Sequence, residues 1–208
     1  MKPRLIIFDM DGTLADSFPW FVTVMNTVAD RFRFRRIEPG DIDTLRRLDS
    51  RGILEWLGVP RWKLPLIARH MRALKAQHIG EIALFPGVGR MLQDLKDRGI
   101  RIAIVSSDGE ANVRATLGPD NAQLVDLYAC GASLFGKHAK FKQVLRRSGI
   151  GAHHALAIGD EVRDAEAAGR SGIAFAAVTW GYAHADALRA ANPALMLSDV
   201  DDIARKLS

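Results

Sequence analysis

Two acidic residues follow directly after a short apolar run near the start of the chain. The run is LIIF, at residues 5–8, and it is followed by Asp9 and, two positions later, by Asp11. Such a run is typical of a strand buried in a parallel sheet, and ligands bind beyond the carboxyl ends of these strands. Because side chains alternate along an extended chain, both carboxylates would point to the same side. The spacing indicates either two solvated carboxylates or an acidic pair that acts on one ligand.

A second acidic group follows another apolar run, at residues 156–158. Asp160 comes just after this run, and Asp164 follows four residues later, on the same face of a helix. Carboxylates brought together from two strand ends would repel each other unless a cation neutralised them. Ligands that are all oxygen favour Mg²⁺. We therefore predict a Mg²⁺ site formed by Asp9, Asp11, Asp160 and Asp164.

Ser106 and Lys137 are two further residues with groups that bind anions. Ser106 ends the apolar run 100–105, where its hydroxyl and the next backbone N–H groups can donate hydrogen bonds to an anion. Lys137 adds a positive charge just before a helical pattern. Taken singly, Ser106 also fits a helix N-cap, and Lys137 also fits a solvated surface lysine. Both alternatives stay open on these residues alone.

Short apolar runs alternate with helical patterns over most of the chain. The runs are typical of strands buried on both faces of a sheet, and the segments between them place apolar residues on one helix face. This alternation predicts an α/β fold with a doubly wound parallel sheet. The predicted strands are 5–8, 100–105, 156–158 and 173–178, with an edge strand at 194–197, and the predicted helices are 87–98, 139–147, 162–170 and 200–207.

Residues 15–83 break this alternation. They show several amphipathic helical patterns, punctuated by Gly and Pro, and no convincing strand. We predict an α/β core formed by residues 1–14 and 84–208, with residues 15–83 as an all-helical insert between the first and second strands. The insert holds 12 Lys or Arg against 8 Asp or Glu, so it carries 4 of the 5 net positive charges of the chain.

The composition is ordinary for a folded, soluble protein, and it permits a compact enzyme. A chain of 208 residues can bury a full core, and 48% hydrophobic with 25% charged residues is ordinary for a globular protein. The single cysteine, Cys130, cannot form an internal disulfide, and no stretch approaches the roughly 20 apolar residues of a membrane span. The first apolar run is too short for a signal peptide. We therefore expect a cytoplasmic protein with no membrane partner.

Taken in order, these motifs resemble the four motifs of the haloacid dehalogenase superfamily, and in particular of its phosphatase branch. The matching residues are Asp9-Met10-Asp11-Gly12-Thr13, Ser106, Lys137, and Gly159-Asp160 with Asp164. Three further segments are similar to the phosphoglycolate phosphatase-like group: Asp16-Ser17, Phe85-Pro86-Gly87 and Trp180-Gly181-Tyr182. Residues 15–83 match the helical cap that this group inserts after its first motif. The resemblance covers nearly the whole chain and implies a Rossmann-like core.

The resemblance implies Mg²⁺-dependent hydrolysis of a small phosphate monoester of the phosphoglycolate kind, in two steps. Asp9 would attack phosphorus and form an aspartyl-phosphate. Asp11 would protonate the leaving oxygen and then take a proton from water, and its backbone carbonyl would help to bind the metal. The metal carboxylates would be those of Asp9 and Asp160, with Asp164 nearby either as a ligand through water or as a residue that orients the ligands. The phosphoryl group would be bound by Ser106, Ser107 and Lys137, and Thr13 would fix the loop or assist phosphate binding.

The sequence departs from the usual pattern of this group at three places. The residues that follow three of the motif positions are unusual: His138 follows Lys137, Ser107-Asp108 follows Ser106, and Glu161 follows Asp160. No catalytic group is lost, but these departures weaken any inference about the identity of the substrate. They also leave Lys140 as a second candidate for the lysine role.

Two other reactions of the same superfamily stay open. A sugar phosphomutase uses the same core residues, so only its product would distinguish it. A phosphonatase-like enzyme would need a lysine in the cap to form an imine, and Lys63 and Lys75 are available there. Neither lysine has a sequence context that marks it for this role.

The basic insert predicts attraction of a small phosphorylated metabolite. We expect Arg47 and Arg51, on either side of Ser50, to bind it from a cap loop. The stretch RFRFRR at residues 31–36 supports a non-enzyme alternative, a basic nucleic-acid-binding protein. A helix end with inward aromatics and solvated arginines explains the same stretch, so we expect no nucleic-acid partner. Whether the protein is a monomer or a homodimer stays open.

Overall fold

The computed structural model describes residues 2–131 and 136–207 of the chain. Its strands are β1 (Leu5–Phe8), β2 (Arg101–Val105), β3 (Leu127–Ala129), β4 (Ala155–Gly159), β5 (Ala174–Val178) and β6 (Leu195–Leu197). They form one sheet in the order β3-β2-β1-β4-β5-β6, and each neighbouring pair is parallel. The predicted α/β class with a doubly wound parallel sheet is confirmed.

Helices cover both faces of this sheet. Those that follow the insert are α5 (Val88–Asp97), α6 (Glu110–Ala122), α7 (Lys137–Ser148), α8 (Val162–Arg170), α9 (Ala185–Ala190) and α10 (Asp201–Lys206). Alternate residues of β1 point to opposite faces of the sheet. On one face, Ile6 and Phe8 pack with residues of α5, α6 and α10. On the other face, Leu5 and Ile7 pack with residues of α7, α8 and α9. Burial on both faces explains why the strands are continuous apolar runs.

The insert consists of helices, as its sequence predicts. Its α-helices are α1 (Phe18–Phe32), α2 (Ile42–Arg46), α3 (Ser50–Trp56) and α4 (Leu64–Gln77), joined in part by short 3₁₀ turns. A small hydrophobic cluster centred on Met25, Leu57 and Val59 belongs to the insert alone. Trp20, in contrast, is buried in the larger cluster of the core. The boundaries 15 and 83 as limits of a separate domain stay a prediction.

Three elements lie where no strand or helix was predicted. β3 has only three residues, too few to show an apolar period. In α6, Gly118 has a φ of 73° and Pro119 follows it, so the helix is kinked and its apolar period is interrupted. α9 is only six residues long. Within residues 2–131 and 136–207, no helix is long and apolar enough to cross a membrane.

The strand order changes direction at the centre of the sheet, between β1 and β4. β1 pairs with β2 on one side and with β4 on the other, so the carboxyl ends of β1 and β4 lie next to each other. Such a switch point is the usual place for a ligand in an open α/β sheet. Asp9 follows β1 and Asp160 follows β4, which brings the two predicted acidic motifs to the same edge.

Candidate active site

Three carboxylates meet at this edge of the sheet. Asp9, Asp160 and Asp164 are all buried, and their carboxylate oxygens lie within 4.8 Å of one another. Asp9 and Asp160 come from adjacent strand ends, and Asp164 comes from the first turn of α8. The structure therefore brings together three of the four carboxylates predicted for the metal site.

Lys137 lies inside this acidic group. Its Nζ atom is 2.9 Å from Asp9 Oδ2 and 2.5 Å from Asp164 Oδ1. Burial alone would lower the pKa of Lys137, but the charges of Asp164 and Asp9 outweigh it and raise the pKa above its ordinary value. The ammonium therefore stays charged beside Asp9 at neutral pH. Lys140, the second candidate, is only partly buried and lies one helical turn further along α7.

The surroundings of the acidic group favour a bound cation. Burial, followed by the charges of Glu161, Asp9 and Asp164, raises the pKa of Asp160 well above its ordinary value. Burial also raises the pKa of Asp164 to about 6, although Lys137 opposes this shift. These shifts show that ionised carboxylates are crowded and poorly solvated here. Because the ligand atoms are all oxygen, the group fits Mg²⁺.

Loops on both sides hold Asp160 in place. Thr13 Oγ1 donates a hydrogen bond of 2.8 Å to Asp160 Oδ1, and the backbone N–H of Tyr182 donates one of 2.7 Å to Asp160 Oδ2. Gly12 and Gly181 lie so close to the Asp160 carboxylate that a Cβ atom on either glycine would overlap with it. Thr13 thus orients a carboxylate in this structure; its predicted role in fixing the loop or binding phosphate stays a prediction.

Ser106 is buried directly after β2. Its Oγ accepts a hydrogen bond of 3.0 Å from the backbone N–H of Asp108, which shapes the loop that leads into α6. Ser107 is partly buried between them. That both serines bind the phosphoryl group stays a prediction.

The carboxylate of Asp11 turns away from the acidic group and towards the insert. Its Oδ1 atom lies 2.5 Å from Nζ of Lys75, which belongs to α4. The same Nζ lies 3.0 Å from Oδ2 of Asp108. Lys75 and Asp108 are each only 4% exposed, whereas the Asp11 side chain is 29% exposed, so this cluster of three side chains is closed to solvent except beside Asp11. Metal binding by Asp11 was expected through its backbone carbonyl, and that role stays a prediction.

The sequence around Lys75 does not mark this residue as functional, but its contacts with Asp11 and Asp108 in the structure do. A signal for burial was present in the sequence: Lys75 lies four residues after Met71 and next to Leu74, both of which pack against the core cluster. A lysine on the apolar face of an amphipathic helix needs a buried partner. Asp108, noted only as a departure from the usual pattern, is that partner together with Asp11.

A cavity of about 380 Å³ lies between the insert and the core, beside Lys137. Five of its lining side chains are basic and two are acidic, so it favours an anion. Arg51 lines it, and substrate binding by Arg51 stays a prediction. Arg47 does not line it: its guanidinium lies 3.0 Å from Asp43 Oδ2 and 3.7 Å from Asp186 Oδ2, on an exposed surface. The lining residues are Asp49, Ser50, Arg51, Arg61, Lys137, His138, Arg163, Glu166, Ala167 and Arg170.

The basic stretch at residues 31–36 shows the alternation expected of a helix end. Phe34 packs against the small cluster of the insert, and Phe32 lies 5.5 Å from the ring of His70. The arginines are exposed, and Arg35 lies over the ring of Trp56. The aromatic side chains thus contribute to packing within the insert.

Known proteins resemble this chain along nearly its whole length. A phosphoglycolate phosphatase of Synechococcus elongatus is 32% identical over 201 residues, which cover 96% of this chain and 95% of that protein. The Mycobacterium tuberculosis protein named tyrosine-protein kinase PtkA is 28% identical over 197 residues, which cover 89% of this chain and 65% of that protein. A solved structure from Lactobacillus plantarum superimposes with a TM-score of 0.85 at 21% identity and covers all of both chains, which shows the shared fold.

The match to a family model agrees with the geometry of the site. The model described as haloacid dehalogenase-like hydrolase matches residues 6–178. This span contains the acidic group, Lys137 and the insert with Lys75. The chain therefore belongs to the haloacid dehalogenase-like hydrolase family.

Proposed function

We propose that this phosphoric monoester hydrolase cleaves a small ester of the phosphoglycolate kind, with the phosphoryl group carried for a time on Asp9. The observation that carries the proposal is the position of Lys137, which joins Asp9 and Asp164 at the switch point of the sheet. A lysine between a nucleophile and the metal carboxylates offsets the charge of Asp9 and can bind an incoming phosphoryl oxygen. The phosphoglycolate phosphatase from Synechococcus elongatus supports the choice of substrate class.

In the first step, an Asp9 carboxylate oxygen bonds to phosphorus and the bond from phosphorus to the leaving oxygen breaks. Asp11 gives its proton to that oxygen, so the leaving group departs as an alcohol. In the second step, a water oxygen bonds to phosphorus, the bond from phosphorus to the Asp9 oxygen breaks, and Asp11 takes a proton from the water. Orthophosphate leaves, and both aspartates return to their starting forms.

Mg²⁺ would be held by Asp9, Asp160 and Asp164, whose oxygens already lie close together. When bound, it would supply positive charge that offsets the charge of the phosphoryl group. Thr13 and the Tyr182 backbone keep Asp160 oriented for this role through their two hydrogen bonds. Ser106, Ser107 and Arg51 are proposed substrate contacts.

The contacts of Lys75 argue against the phosphonatase-like alternative. An imine forms from a neutral amine, so its lysine needs a lowered pKa. Burial alone would lower the pKa of Lys75, but the carboxylates of Asp11 and Asp108 outweigh it and raise the pKa above its ordinary value. Lys75 is therefore a protonated ammonium at neutral pH, unsuited to attack a carbonyl group.

The test is release of orthophosphate by the purified protein from a panel of phosphate monoesters that includes 2-phosphoglycolate. We expect turnover with Mg²⁺, loss of turnover with excess EDTA, and at least about a thousandfold lower kcat for Asp9→Asn, because the nucleophile is lost. Isomerised sugar phosphates among the products would indicate a phosphomutase instead. Unchanged turnover by Asp9→Asn would refute Asp9 as the nucleophile.

A further inference from the structure

We propose that Lys75 is a positioning residue that aims the general acid Asp11 at the leaving oxygen, and that Asp108 and Asn112 hold Lys75 in place. The proposal rests on the proposed function, because it concerns the acid of that same reaction. It assigns a role to a residue of the insert that reaches the core from α4. It also explains why a buried aspartate at position 108 follows Ser106.

Asp108 is fixed before it meets Lys75. Its Oδ1 atom accepts hydrogen bonds of 2.7 Å from the backbone N–H of Gly109 and of 2.9 Å from Asn112 Nδ2. Its other oxygen, Oδ2, lies 3.0 Å from Lys75 Nζ. Two hydrogen bonds therefore fix Oδ1, and the ion pair with Lys75 is formed by Oδ2.

The same asparagine also holds the helix that carries Lys75. Asn112 Nδ2 donates a second hydrogen bond of 2.9 Å to the backbone carbonyl of Arg72, which lies on α4 one turn before Lys75. Met71 and Leu74 pack against the core cluster on the same side. The start of α6 is thus a docking point for α4, and docking brings the Lys75 ammonium to Asp11.

The contact decides which oxygen of Asp11 is available for proton transfer. An ammonium group donates hydrogen bonds and accepts none. Lys75 Nζ lies 2.5 Å from Asp11 Oδ1, so Oδ1 acts as the acceptor and Oδ2 is left to carry the proton. Lys75 itself touches neither phosphorus nor the leaving oxygen in this scheme; it acts through Asp11.

This role predicts a dependence on the leaving group that a purely structural role would not produce. An alkyl phosphate needs proton transfer to its leaving oxygen, whereas 4-nitrophenyl phosphate releases a weakly basic phenolate that needs little help. For Lys75→Met, kcat/KM should fall about a hundredfold with 2-phosphoglycolate and less than about fivefold with 4-nitrophenyl phosphate, since a well-placed acid contributes 10²–10⁴-fold. Lys75→Arg, which restores a donor, should recover part of the loss with 2-phosphoglycolate.

Matched variants keep the test decisive. Lys63→Met is the control, because Lys63 also lies in the insert but its Nζ contacts the Phe32 carbonyl and the Trp62 ring, which both belong to the insert; it should leave both esters unaffected. If Lys75→Met does not fold, Lys75→Met with Asp108→Asn removes the cation without leaving the Asp108 charge unpaired.

An equal loss of kcat/KM with both esters, or no loss, would overturn the positioning role while leaving the phosphatase proposal intact. Wild-type protein that released phosphate from neither ester would refute the proposed function instead.

Discussion

At the scale of single residues, the two lysines in the first turn of α7 have different surroundings. Lys137 contacts Asp9 and Asp164, while Lys140 is only partly buried. We expect Lys137→Met to lower kcat by about 10²-fold or more, because the charge beside the nucleophile is lost. Lys140→Met should lower it less than about twofold, as surface substitutions usually do little. The measurement is phosphate release by the two variants under saturating substrate. A comparable loss of kcat in both variants would mean that Lys140 could also fill the lysine role.

The close approach of Gly12 to Asp160 leads to a second prediction for single residues. Gly12 has a φ of 77°, and a Cβ atom there would overlap with the Asp160 carboxylate and the Tyr182 ring. Gly12→Ala should therefore displace Asp160 and abolish most of the activity. Gly99→Ala is the matched control, because Gly99 has a φ of 72° and open space around it.

The control variant should cost only about 1–2 kcal/mol of unfolding free energy, which is the penalty of the left-handed conformation, and it should keep its kcat. Urea unfolding together with steady-state kinetics measures both quantities. Equal effects of the two glycine substitutions on kcat would show that crowding around Asp160 has no influence on catalysis.

Some of these residues could be predicted from the sequence, and others could not. Asp9, Asp160 and Lys137 each stand at the boundary of a regular element, so local patterns are enough to locate them. The contact between Lys75 and Asp11 joins residues 64 positions apart and depends on how α4 docks. No local pattern specifies that docking, and the same applies to the outward placement of Arg47.

At the scale of elements, prediction from sequence succeeded where an element buries a long, regular apolar face. β1 was predicted with its observed bounds, Leu5–Phe8, because all four residues are fully buried in the centre of the sheet. β3 and α6 were missed, the first because it is short and the second because Pro119 interrupts it. Neither of these provides a carboxylate of the acidic group, so the predicted set of carboxylates does not depend on them.

A second docking point joins the insert to the core through α2. Arg46, at the end of α2, donates hydrogen bonds from Nε to the Tyr182 carbonyl (2.9 Å) and from Nη2 to the Gly181 carbonyl (3.0 Å). The backbone N–H of His184 donates to the Arg46 carbonyl in return (2.7 Å). Tyr182 and Gly181 also surround Asp160, so α2 rests on the loop that holds the metal carboxylate.

This contact predicts a separate kinetic effect for the insert. Arg46→Met should weaken docking of α2, so that a smaller share of the protein is ready to hold substrate and KM rises about threefold to tenfold. kcat should change less, because the reacting groups are intact. Arg36→Met is the control, since Arg36 is an exposed arginine of the insert whose guanidinium pairs with Asp30 of the insert itself. A fall in kcat without a rise in KM would contradict this assignment.

At the scale of the whole molecule, positive charge is concentrated on one side of the site. The insert holds 4 of the 5 net positive charges, and the cavity beside Lys137 is lined by more basic than acidic side chains. The carboxylates of the acidic group are buried, and none of the three lines that cavity. An approaching phosphate ester therefore meets the basic side chains before it meets the carboxylates, and long-range attraction raises its local concentration.

This arrangement predicts that added salt weakens substrate capture and leaves the chemical steps unaffected. Raising potassium chloride from about 0.01 M to about 1 M shortens the Debye length from about 30 Å to about 3 Å, which screens the attraction between exposed charges and an anion. At constant Mg²⁺, kcat/KM for 2-phosphoglycolate should fall about tenfold, in the range seen for electrostatic steering, while kcat changes little. Sucrose at matched osmolality is the control, because it adds no charge. If kcat fell in parallel with kcat/KM, salt would be acting on the buried acidic group or on the docking of α4, and the basic surface of the insert would have no part in recruiting substrate.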